Sequence, residues 1–165
     1  MIGKKLQKAV NEQINKELYS AYLYTAMSVD AELKGFKGAG HWFKVQNQEE
    51  TGHATKFMAY LLDQGAAVEL DVIQKPPRTF ESLLDMFDKT LKHEKAVTAS
   101  INSLMDLAKS ENDHATQIML QWFVTEQVEE EKNDNEVLTQ LRMAGSSAGT
   151  LLMIDKHLGK RGSAG

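Results

Sequence analysis

The 165-residue sequence contains no cysteine. That removes disulfide scaffolds, thiolate zinc sites, iron–sulfur clusters and thiol catalysis together, and it fits a reducing compartment. Proline is nearly absent too. Pro76 and Pro77 stand side by side, so the long stretches flanking them lack the strongest helix breaker. No apolar run approaches the roughly 18 residues of a membrane span, and residues 1–5 lead into an amphipathic pattern without the apolar stretch of a signal peptide. There is no basic block: 19 Lys and Arg against 23 Asp and Glu leave a formal charge of −4, which argues against a nucleic-acid footprint. The expectation is a cytoplasmic protein with neither membrane nor nucleic acid as a partner.

The remaining composition, 42% apolar and 25% charged, is that of one globular domain able to bury a core without staples. Apolar residues recur at steps of three and four. The first helix is expected over about residues 4–32, with Leu6, Val10, Ile14, Ala21, Tyr24 and Ala31 inward. Gly35 and Gly38 mark a turn. The second helix covers about 38–64, with Ala39, Phe43, Phe57 and Leu61 inward and Gly65 as C-cap. Residues 66–79 form one long connection. Thr79 is the expected N-cap of a third helix reaching about Lys109, whose inner stripe is Phe80, Leu84, Phe87, Leu91, Ile101, Met105 and Ala108. Asn112 or Asp113 caps a fourth, with Ala115, Met119, Phe123, Val137 and Leu141 inward. Ser146 or Ser147 caps a short fifth carrying Leu151, Leu152, Ile154 and Leu158. The domain should occupy residues 1–160 and a flexible tail 161–165. The fourteen-residue connection, reaching roughly 46–50 Å extended, can traverse a helix of about 40 Å. The fold class is therefore an all-α, ferritin-like four-helix bundle with a crossover between its second and third helices and a short fifth helix.

The informative residues interrupt the apolar stripes. Glu17 lies between Ile14 and Ala21, Glu50 and His53 between Phe43 and Phe57, Glu94 between Leu91 and Ile101, and Gln127 and Glu130 between Phe123 and Val137. Each long helix thus turns a carboxylate inward near its middle. An unpaired buried carboxylate costs several kcal/mol or stays protonated, and a cation resolves that cost. Their heights agree as well. Glu17 precedes the first turn by 19 residues, and Glu50 and His53 follow it by 14 and 17. Glu94 precedes the second turn by 17, and Gln127 and Glu130 follow it by 16 and 19. In antiparallel hairpins equal distance from the turn is equal height, so the groups converge on one layer. This comes close to the carboxylate-bridged di-iron pattern of Glu-x-x-His motifs, and oxygen-rich ligands with one imidazole suit iron or manganese better than zinc.

Alone, each piece has an ordinary reading. A single Glu-x-x-His arises by chance, the acids Glu126, Glu129, Glu130 and Glu131 suit a solvated face, and Tyr24 suits a core. His41, His93, His114 and His157 have no ligand-spaced partner and should be surface residues, and Trp42 and Trp122 core or interface residues. Gly52, mid-helix at a cost of roughly 1 kcal/mol against Ala, suggests close approach of a neighbouring helix.

Together, the stretches NEQINKE followed by residues 19–24, QEETGHA (48–54), His93-Glu94 and WFVTEQVEEE (122–131) resemble the non-haem bacterial ferritins over residues 1–160. The resemblance implies iron storage with ferroxidase activity. Glu17, Glu50 and His53 would hold one iron. Glu50 as a bridge, with Glu94 and Glu130, would hold a second, with Gln127 close by. A third iron site would map to Glu49, Glu126, Glu129 and Glu130, and Tyr24 would stand beside the centre. The resemblance further implies a homo-oligomeric shell of twenty-four subunits, with Fe²⁺ and either O₂ or H₂O₂ as substrates. Thr51 occupies the position where bacterioferritins carry their haem-ligating methionine, so no haem is expected. Two other classes remain: a di-iron oxidase or peroxidase acting on something other than iron, and a metal-free helical interaction protein.

Overall fold

The computed structural model describes residues 2–162. Among them are five helices and no strand: α1 (Lys4–Leu33), α2 (Lys37–Asp63), α3 (Leu83–Ser110), α4 (His114–Ala144) and α5 (Ala148–Leu158). None of the helices is long and apolar enough to cross a membrane. α1 packs along α2 and α3 along α4 as two hairpins. Positive-φ residues close the helices before the first three connections: Gly35 at 88°, Gly65 at 66° and Asn112 at 53°. Each lets the following N–H return to the last turn, as when Phe36 donates to Ala31 O at 2.9 Å. Asp113 caps α4 by accepting from Thr116 N at 2.9 Å.

The crossover runs lengthwise along α1. Asn11 donates to Ala67 O and accepts from Glu69 N at 2.7 Å, Asn15 reaches Val72 O, and Asp30 accepts from Phe80 N at 2.9 Å. Asn11 to Asp30 is about 28 Å of helix, which explains the length of the connection. The third helix starts later than expected. Its N-cap is Ser82, which accepts from Asp85 N, and not Thr79.

The core falls into two apolar clusters. One joins Leu6, Ile14, Phe57, Leu61, Ile101 and Phe123. The other joins Tyr24, Phe43, Phe87, Leu138 and Leu158 at the α5 end. The polar layer lies between them on every long helix. Several inward assignments shift by one position: Leu83 and Leu104 are buried where Leu84 and Met105 are only partly so, and Thr116 and Leu120 replace Ala115 and Met119. In each case a broad apolar face offered two adjacent candidates.

Gly38 sits inside α2 and not in the turn, because α5 docks against it. A Cβ there would lie 1.7 Å from Asp155 O. Asp155 in turn accepts from Ala39 N at 2.8 Å. Gly52 has no comparable reason. It is exposed and a Cβ would meet nothing within 4 Å, so no helix approaches it closely within the chain. α5 divides its apolar residues: Ile154 and Leu158 are buried on their own chain, whereas Leu152 and Met153 are 59% and 73% exposed. Arg161, placed in a flexible tail, is held by side-chain bonds to Gln46 and Glu49 and stacks on Trp42; residues 163–165 of that tail lie outside the described residues.

Gly38→Ala should lift α5 from its seat and cost about 1–3 kcal/mol, the usual range for overpacking. A lower urea midpoint and new cleavage between residues 146 and 162 are the expected readouts; an unchanged midpoint would contradict the docking.

Candidate metal centre

All six inward residues lie where their spacing put them. Glu17, Glu50, His53, Glu94, Gln127 and Glu130 are each no more than 4% exposed. They occupy one layer because the two hairpins bring equal distances from their turns to equal height.

Glu17, Glu50 and His53 present ligand atoms all within 4.8 Å of one another. His53 Nδ1 stands 3.4 Å from Glu50 Oε2 and 3.8 Å from Glu17 Oε2. Both contacts lack hydrogen-bond geometry, and both buried oxygens are left without a partner. The opposite oxygen of Glu17 accepts from Gln13 Nε2 at 2.7 Å. A second group, His53, Glu126 and Glu130, meets the same 4.8 Å limit. Glu130 Oε2 accepts from Gln46 Nε2 at 2.8 Å. Glu94 belongs to neither group. Its Oε1 accepts from the Tyr24 hydroxyl, and its Oε2 from Gln127 Nε2 at 3.1 Å. Trp122 and Phe123 turn their ring planes nearly at right angles to His53, at 5.4 and 5.8 Å.

Burial dominates the electrostatics. It pushes Glu50 well above the usual carboxylate range, with the Glu94 charge adding to the effect, and raises Glu94 in the same way. Glu130 is pushed up to about 7 by burial and by Glu94. His53 goes the other way from a lone buried imidazole: burial favours its neutral form, but Glu17 and Glu50 outweigh it and raise it to about 11. Burial and the Glu94 charge keep the Tyr24 phenol protonated far above its ordinary value, so it remains a donor. Four inward carboxylates with one imidazolium among them are short of positive charge, and hard oxygen donors around a shared imidazole suit a multivalent cation.

The outer acids are placed less uniformly. Glu126 and Glu49 are partly buried and Glu129 is exposed. Glu49 Oε2 accepts from Arg161 Nη2 at 2.5 Å, and Arg161 Nη1 donates to Gln46 Oε1 at 2.6 Å. Burial raises the Glu49 carboxyl, and Arg161 opposes the rise. His93 is not a surface residue: it is half-buried, with its Nε2 2.7 Å from Ser20 Oγ. Four groups escaped the sequence reading, Gln13, Gln46, Asp134 and Arg161. The first three stand four residues from Glu17, Glu50 and Glu130 on the same stripes, a spacing that could have revealed them.

The family model described as a ferritin-like domain matches residues 7–144. The chain belongs to the ferritin family. It is 40% identical to a bacterial non-heme ferritin of Bacteroides fragilis, over 98% of this chain and all of that one. With the bacterial non-heme ferritin of Campylobacter jejuni the identity is 37%, over 96% and 95%. Among solved structures, an open-pore ferritin of Archaeoglobus fulgidus superposes with a TM-score of 0.97 at 40% identity, covering 98% of this chain and all of that one. A humanized archaeal ferritin reaches 0.99 at 40% identity over the whole of both chains.

For this ferritin the raised groups set a pH dependence. Glu130, Asp134 (pushed up to about 9 by burial and the Glu94 charge) and His53 bind protons more tightly folded than unfolded. Their contribution is full below their ordinary values of 4.5, 3.8 and 6.5 and is lost as pH rises through the folded ones. In chelator the melting temperature should fall from about pH 5 to pH 9. Saturating Zn²⁺, offered to compete with protons at the Glu17, Glu50 and His53 donors, should flatten or invert that slope. A metal-free melting temperature that climbs across the window would contradict the assignment.

Proposed function

We propose that this chain binds Fe²⁺ at Glu17, Glu50, His53, Glu94 and Glu130, with Gln127 beside them, oxidises it, and stores the ferric product as mineral inside a hollow homo-oligomeric shell. The observation that carries the reading is the pair of buried, unpartnered oxygens on Glu17 and Glu50 facing His53. A core tolerates such atoms when a cation completes them. Glu50, between Glu17 and Glu94 in charge contact, is the bridging carboxylate of the reading. Hard carboxylates favour Fe³⁺ over Fe²⁺, which lowers the cost of oxidation, and O₂ or H₂O₂ takes the electrons. Tyr24 holds Glu94 in place by donating to it and positions that ligand within the layer.

The shell reading follows the family and takes twenty-four subunits; exposed Leu152 and Met153 on α5 and exposed Val128 on α4 supply apolar surface for subunit contacts. No haem is proposed, since Thr51 gives its hydroxyl to Asn47 O and offers no thioether. A cytoplasmic setting accords with the absence of cysteine. The third iron site, of Glu49, Glu126, Glu129 and Glu130, enters the reading with one condition: the Arg161 guanidinium already neutralises Glu49, so an ion there must displace it.

Glu50→Ala and Glu94→Ala should each slow the fast phase of Fe²⁺ oxidation at least about tenfold, the scale of losing metal-site support. Both should still fold, because each removes one of several buried acids and leaves the apolar clusters on either side of the layer intact. Arg161→Ala should instead leave the fast phase intact and change the iron oxidised per O₂ consumed. Stopped-flow absorbance with oxygen uptake reads both effects, and an unaltered fast phase in Glu50→Ala would sink the centre.

A further inference from the structure

Asp134 has no part in the centre described above, yet it is fully buried and neither of its carboxyl oxygens has a hydrogen-bond partner. It stands one turn beyond Glu130 on α4 and one turn before Leu138 of the apolar cluster at the α5 end. Among the described residues the charges acting most strongly on it are the acids Glu94, Glu130 and Glu131, opposed by the cation Arg161. Arg161 is already committed to Gln46 and Glu49.

We propose that Asp134 is the anchoring ligand of a further metal-cation site, shared with Glu130 and lying one helical turn along α4 from the ferroxidase layer. Carboxylates four residues apart lie on one face of a helix and can reach one ion. Glu126, Glu130 and Asp134 form such a ladder, about 6 Å per step along the axis, and burial deepens along it: Glu126 is partly exposed, Glu130 is 3% exposed and Asp134 fully buried. A hydrogen-bond donor is what the surroundings of Asp134 lack. Protonation would quiet its charge but bring no donor to the remaining oxygen, whereas a hard cation satisfies Asp134 and the free capacity of Glu130 together. The inference rests on the ferroxidase reading only for the identity of the ion, iron; the site itself is specified by Asp134. Its role in that reading is to hold one ion outside the oxidising pair.

The test uses Zn²⁺, which is redox-inert, on the intact metal-free assembly. Anomalous scattering from Zn²⁺-soaked crystals should show a peak about 2.0–2.2 Å from an Asp134 oxygen, besides density at Glu17, Glu50 and His53. In calorimetric titration, Asp134→Asn should bind one Zn²⁺ fewer per chain than the unmodified protein. Asp134→Leu, which removes any residual ligand, should show the same loss and melt at a higher temperature without metal. Unchanged stoichiometry in both variants with no peak at Asp134 overturns the proposal and leaves a protonated core acid. A peak at the Glu17–Glu50–His53 cluster alone refutes this site and supports the functional reading; a peak at Asp134 alone does the reverse.

Discussion

Five carboxyl groups, those of Glu17, Glu50, Glu94, Glu130 and Asp134, cross the middle of one helical bundle with His53 as the cationic group among them. Nothing else in the molecule is as unfavourable. Each buried, incompletely paired acid costs several kcal/mol, and the fold meets that cost with apolar clusters on both sides of the layer. Leu6, Ile14, Phe57 and Phe123 pack on one side; Phe43, Phe87 and Leu138 pack on the other. The length of the four helices follows, since each must contribute to both clusters and to the layer between them.

The layer is held by neutral donors. Gln13 fixes Glu17, Gln46 fixes Glu130, and Tyr24 and Gln127 fix Glu94. Such groups orient a carboxylate without cancelling its charge, so the affinity for a cation is kept. A lysine or arginine at any of these places would satisfy the apo core and spoil the site. Arg161 shows where that exchange is made instead, at Glu49 on the margin of the layer, from a segment beyond α5. Burying these acids without full pairing concedes stability locally, a familiar feature of functional sites.

The arrangement of the bundle and the inward placement of the polar residues in its middle were readable from spacing because both follow from helical periodicity. An acid on an apolar stripe can only face the core, and antiparallel pairing converts distance from a turn into height. What periodicity does not encode was lost. Leu83 and Leu84, or Leu104 and Met105, are equivalent to a pattern but not to a packed interface. Gly38 reads as a turn residue until α5 is seen to rest on it. Arg161 lies more than a hundred residues from Glu49 and Gln46, so its contact depends on how the chain end folds back. Asp134 was legible in principle: it continues the Phe123–Gln127–Glu130–Val137 stripe, but it sits in the wholly polar run 132–136, which reads as a solvated face.

The central claim is that this carboxylate layer exists to receive and oxidise iron within an assembled shell. Aerobic addition of Fe²⁺ in small steps, with absorbance recorded alongside the native mass of the particle, addresses it directly. Rapid oxidation should saturate near two Fe²⁺ per chain in the first step, followed by slower uptake in which a particle of constant size gains the mass of added iron. Oxidation no faster than in protein-free buffer, with ferric precipitate outside an unaltered particle, would contradict it.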